Sequence, residues 1–134
     1  MAVTASSKWI DGERFVAQAS SKHAIVIDSS PEKTANGPME LVLIALCSCT
    51  ATDVVSILRK KREPFTSVEV LAQGERAPEP PTVYTNIHLI YRVGGNVNRK
   101  SVEDAVHLSK TKYCSVSQML QKSSALTFNI EYLG

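Results

Sequence analysis

Three cysteines carry the chemical interest of this 134-residue chain: Cys47, Cys49 and Cys114. A cysteine acts as a nucleophile through its thiolate, so the surroundings of each thiol decide whether it reacts. Cys114 directly precedes Ser115-Val116-Ser117-Gln118, whose spacing is that of a capping box opening a short helix. The free N–H groups and the positive dipole end of such a terminus favour a thiolate. Cys49 lies within an apolar segment, where burial alone raises a thiol pKa unless a cation or hydrogen-bond donor offsets it.

Helical spacing identifies the neighbours of Cys49. At 100° per residue, Asp53 falls about 40° away and one turn on, with Thr52 and Ser56 nearby. Two readings of this polar stripe stand side by side: a reactive face, or small polar residues facing solvent with Cys49 as a compact hydrophobe. Metal binding fits poorly. Cys47 and Cys49 sit about 200° apart on one helix, and His23, His88 and His107 have no ligand spacing, so no metal is expected. The chain also lacks GxGxxG, P-loop, HExxH and GxSxG patterns, which leaves thiol chemistry or binding.

The elements that position these residues can be read from periodicity and punctuation. Short β-forming runs at 6–10 and 14–19 flank the turn dipeptide Asp11-Gly12, and a third run covers 24–28. A loop rich in turn formers, SSPEKTANGP, leads to Pro38, which suits a first helical turn. From there no breaker occurs until Pro64, which predicts one long helix ending in Arg59-Lys60-Lys61-Arg62. Its first half is apolar on nearly every face, so it is expected to be buried centrally or against a partner subunit. Two antiparallel strands at 67–73 and 83–93 are joined by a proline-stiffened APEPP segment. A helix over 99–112, a short helix after Cys114 and a strand over 126–133 complete the order βββ-α-ββ-αα-β. Segregated strand and helix runs argue an α+β fold in one domain spanning residues 1–134.

Composition excludes several classes. Hydrophobic residues are 43% and charged residues 21%, which is ordinary globular usage. The net charge is +2, with eight basic and seven acidic residues before Ser67 against seven and six from there on. A single cationic run at a helix end offsets the dipole, and nucleic acid is not an expected partner. The N-terminal MAVTASSKW lacks an apolar signal core, and the longest unbroken apolar stretch, 41–47, falls far short of the ~20 residues of a span. A cytoplasmic protein without membrane contact is expected. The odd cysteine count argues against a secreted disulfide framework. A homodimer wrapping the apolar helix is the simplest cover for it.

The segment GPMELVLIALCSCTATDVVSILRK, joined 65 residues after Cys49 by KYCSVSQML, resembles the OsmC family, which includes osmotically inducible protein C and the organic hydroperoxide resistance proteins. The resemblance covers the whole chain in order and is strongest to the branch with GPxELxLxALxxC and DVVxIL patterns. It implies antiparallel sheets packed around a long buried central helix in an intertwined homodimer, with the active site at the subunit interface.

The resemblance also implies a function. Cys49 is then the peroxidatic thiolate that attacks small organic hydroperoxides in oxidative stress defence, and Cys114 resolves the sulfenic acid as a disulfide. A dithiol or lipoyl-type partner restores the pair, and no cofactor is called for. The family pattern adds an arginine from the N-terminal sheet, for which Arg14 is the candidate, being the only arginine before Arg59. It also adds a helix glutamate ten residues before the cysteine. That position is Met39 here, with Glu40 beside it about 180° from Cys49, and Cys47 stands where the family has small residues. The rival expectation is a non-catalytic dimeric module, binding or redox-sensing, with an apolar interface cleft.

Overall fold

The computed structural model describes all of residues 1–134, which form two compact units, Met1–Val42 and Leu43–Gly134. In the first, β1 (Ala5–Asp11), β2 (Arg14–Ala19) and β3 (Ala24–Asp28) make an antiparallel sheet in that order. The β1–β2 turn depends on Gly12, whose φ of +49° suits glycine. Trp9 closes the hairpin by donating from Nε1 to the Gly12 carbonyl at 2.9 Å. After β3 the chain folds around the Asp28 carboxylate, which accepts from the Ser30 N–H (2.8 Å), the Thr34 N–H (2.8 Å) and the Thr34 hydroxyl (2.6 Å). Hydrogen bonds from Ser30 and Thr34 hold this carboxyl well below the usual carboxylate range.

Helix α1 (Pro38–Lys60) starts as its sequence predicts, with proline first and Glu40 accepting from the Gly37 N–H at 2.9 Å, the reciprocal half of a capping box. It ends where Glu63 N–H bonds the Leu58 carbonyl at 2.9 Å and Arg62 takes φ +57°, a Schellman closure. Arg59 and Lys60 occupy its last turn, so the cationic run does serve the helix terminus. The buried residues are Leu46, Thr50, Val54 and Leu58, an unbroken i, i+4 stripe. Within the single chain one face of the first half is packed and Ile44 is 45% exposed, so of the two expected covers, the chain's own core and a partner subunit, the chain supplies the first for that face alone.

The second unit holds a sheet of β4 (Phe65–Arg76), β5 (Tyr84–Gly95) and β6 (Ala125–Leu133), with β5 central. β4 pairs antiparallel with β5, but β6 runs parallel to it, so this sheet is mixed rather than antiparallel. Parallel neighbours need a long crossover, and the helical residues between β5 and β6 supply it. Alternation along β5 buries Ile87, Leu89, Tyr91 and Val93 on one face.

That crossover departs from the sequence expectation in two places. Helix α2 (Arg99–Leu108), opened by Asn98 accepting from Ser101 N–H, stops four residues before 112 and widens into a π-helical turn over Ser109–Tyr113. The Cys114 N–H bonds the Ser109 carbonyl at 2.8 Å, five residues back. The next helix, α3 (Ser115–Leu120), is capped by Cys114 rather than by Ser115, because Cys114 holds the extended backbone of an N-cap.

Candidate active site

The π turn and the middle of α1 bring two of the expected residues together. Cys49, half-buried, lies beside Cys114, which is fully buried, and both thiols are free. Cys114 Sγ also accepts from the Ser117 N–H at 3.4 Å. Its position at a helix N-terminus suggested a lowered pKa; instead burial, aided by the neighbouring Cys49 thiol, pushes the thiol up. One long N–H contact on a six-residue helix does not offset complete removal from water.

A hydrogen-bonded chain, not foreseen from spacing, runs beneath the pair. Tyr91 OH lies 2.7 Å from Thr50 Oγ1, Thr50 Oγ1 lies 2.8 Å from Ser109 Oγ, and Ser109 Oγ donates to Asp53 Oδ2 at 2.8 Å. Ser109 has one hydroxyl proton and gives it to Asp53, so the direction is fixed from that end: Thr50 donates to Ser109, and Tyr91 to Thr50. Burial pushes Tyr91 up to about 12, which keeps it a neutral donor. Of the predicted polar stripe, Asp53 therefore faces inward, whereas Thr52 turns back onto the Ser48 carbonyl at 2.7 Å. The available signal for this chain was Tyr91 itself, at an inward position of a strand, where a phenol needs a partner.

Two clefts border these residues. One of about 350 Å³ is lined by Asp53, Ile57, Lys60, Lys61, Leu108 and Tyr113, next in sequence to Cys114 and one turn from Cys49. Another, of about 370 Å³, is lined by Cys47 with Leu43, Ile44, Val70 and Leu71. Burial raises the Cys47 thiol pKa.

The other two expected residues belong to the first unit. Arg14 donates from Nε and from a terminal nitrogen to the two Asp11 carboxylate oxygens at 2.8 and 2.9 Å, and Glu40 caps α1.

The fold is an α+β chain whose long helix carries Cys47 and Cys49 and whose β5–β6 crossover carries Cys114. The family model described as OsmC-like protein matches residues 30–129, and the chain belongs to that family. Protein YhfA of Escherichia coli (strain K12) is 41% identical over 128 residues, 95% of this chain and 96% of YhfA. A solved protein of Aquifex aeolicus VF5 superposes with a TM-score of 0.86 at 28% identity, over 100% of this chain and 99% of that one. The organic hydroperoxide resistance protein OhrB of Bacillus subtilis shares the fold, with a TM-score of 0.67 over 98% of each chain at 9% identity. Helix α1 is long and apolar enough to cross a membrane by length and composition. Within the chain its packed residues are Leu46, Thr50, Val54 and Leu58.

Proposed function

We propose that this protein is a thiol-dependent peroxidase that reduces small organic hydroperoxides. The observation that carries the reading is the meeting of the Cys49 and Cys114 thiols, supplied by elements 65 residues apart in sequence. The Cys49 thiolate attacks one peroxide oxygen and the O–O bond breaks. The organic half leaves as an alkoxide, takes a proton and becomes the alcohol, while Cys49 becomes a sulfenic acid. The Cys114 thiolate then attacks that sulfur, and the hydroxyl leaves with a proton as water. A dithiol or lipoyl-type reductant returns both thiols and is itself oxidised to a disulfide. The cleft beside Tyr113 and Asp53, with Ile57 and Leu108 in its wall, suits a small organic group.

In this reading Arg14 and Glu40 stay candidates on the family resemblance alone, as the arginine and the carboxylate that support a reactive thiolate. The working protein is a cytoplasmic homodimer of one-domain chains. Wild-type protein with dithiothreitol is expected to consume cumene hydroperoxide, and Cys49→Ser to lose at least 100-fold in rate. Consumption no faster in the wild type than in that variant overturns the proposal. Arg14→Ala is expected to slow peroxide attack about 10-fold or more.

Two observations favour the rival reading, a dimeric binding or redox-sensing module. The Cys114 thiol is pushed up, and the Asp53 carboxylate stands one turn from Cys49. That reading gains if peroxide leaves the Cys49–Cys114 disulfide unformed in mass spectra of the treated protein.

A further inference from the structure

We propose that Asp53 is a positioning residue for the thiol pair: through Ser109 it clamps the π turn that carries Cys114 onto the face of α1 that carries Cys49. The inference uses the same two thiols as the proposed function but not peroxide, so either can fail without the other.

Both ends of the clamp flank a cysteine. Asp53 is one helical turn beyond Cys49, and Ser109 is the residue whose carbonyl receives the Cys114 N–H at 2.8 Å. The Ser109 side chain is fully buried and makes two bonds, donating to Asp53 Oδ2 at 2.8 Å and accepting from Thr50, also on α1, at 2.8 Å. One residue thus joins the π turn to α1 by its hydroxyl and sets the Cys114 backbone by its carbonyl. The far side of the turn is held separately, by Gln118 Nε2 donating to the Lys110 carbonyl at 2.7 Å.

The geometry explains why the turn is π-helical. An ordinary α-helical continuation places successive residues 100° apart, whereas the i→i−5 bond widens the turn by one residue and re-aims the chain beyond it. With Ser109 anchored, that extra residue puts Cys114, not Tyr113, at the N-cap of α3 and against Cys49. Tyr91, at the start of the chain of donors, supports Thr50 from the sheet.

The test is thiol–disulfide exchange with oxidised glutathione. The Cys49 thiolate attacks glutathione disulfide and releases one glutathione; the Cys114 thiolate then attacks the Cys49 sulfur and releases the second, forming the protein disulfide. The equilibrium measures the effective concentration of one thiol toward the other, which is a readout of position. Asp53→Ala and Ser109→Ala are each expected to lower it at least fivefold. Asp53→Asn keeps an oxygen that accepts from Ser109 and is expected to stay within fivefold of wild type. Leu58→Ala, a destabilising change away from the clamp, is expected to stay within fivefold as well. Alanine variants within fivefold of wild type overturn the proposal, as does an equal fall in Asp53→Asn or Leu58→Ala. Should Asp53→Ala not fold, Ser109→Ala removes the same hydrogen bond from its other end and decides the question under the same limits.

Discussion

Ser117 donates its backbone N–H to Cys114 Sγ at 3.4 Å, so a sulfur takes the place that a serine or aspartate oxygen holds at most helix N-termini. A sulfur is a weak acceptor, and the thiol is fully buried. Removal from water decides the balance, and the Cys114 pKa lies above the ordinary cysteine range.

Disulfide closure should therefore depend on pH. Cys114 attacks as its thiolate, whose population grows tenfold per pH unit below the pKa. Closure, monitored by rapid acid quenching and mass spectrometry, is expected to keep accelerating above pH 8.5 rather than level off near neutrality. Replacing Ser117 by proline removes the N–H that favours the thiolate, and is expected to slow closure further at a given pH.

Tyr91 makes stability fall in alkali. Its folded pKa is about 12, raised by burial, against roughly 10 for a free phenol. Below pH 10 both folded and unfolded states hold the proton, so the contribution is fully present. Above pH 10 the unfolded chain releases the proton while the folded one keeps it, and stability is lost until about pH 12. The difference corresponds to about 2–3 kcal/mol. Urea titrations at pH 9 and pH 11.5 are expected to show this loss in the wild type and a loss smaller by about that amount in Tyr91→Phe.

Cys47 faces its own cleft with Leu43, Ile44, Val70 and Leu71, and burial raises its pKa. It is therefore expected to contribute nothing to closure of the other two thiols. Cys47→Ser should leave both the effective concentration measured with glutathione and the rate of peroxide consumption within about twofold of wild type.

The buried stripe of α1 carries the stability of the second unit. Leu46 and Leu58 are wholly enclosed, and truncation of either to alanine is expected to cost about 2–5 kcal/mol in chemical denaturation. Ile44→Ala on the same helix, at a 45% exposed position, is expected to cost less than about 1 kcal/mol in the monomeric chain.

Element order was readable because breakers and caps act locally. Pro38, Asp11-Gly12 and Pro64 mark their boundaries regardless of what packs on them. Cys49 and Cys114 were legible from their placement on α1 and before α3. The π turn was not, since it arises from a tertiary anchor, Ser109 on Asp53 and Thr50, that no local pattern encodes. The parallel pairing of β6 was readable in principle. Two helical segments between neighbouring strands are what a parallel crossover requires, and the alternating pattern of β6 carries no record of direction. Thr50 escaped notice for a related reason: a lone hydroxyl in an apolar helix gives no sign of the phenol it will meet.

The parallel pairing of β5 and β6 also bears on the order of assembly. The crossover that makes a parallel pair possible is the segment that holds Cys114, and the strand it delivers is at the C-terminal end of the chain. During synthesis Cys49, on α1, emerges before Cys114, and the β5–β6 pairing that the crossover spans is a slow, non-local event. A nascent chain therefore presents Cys49 before its partner thiol has been made, and the pair forms only once the crossover has been added.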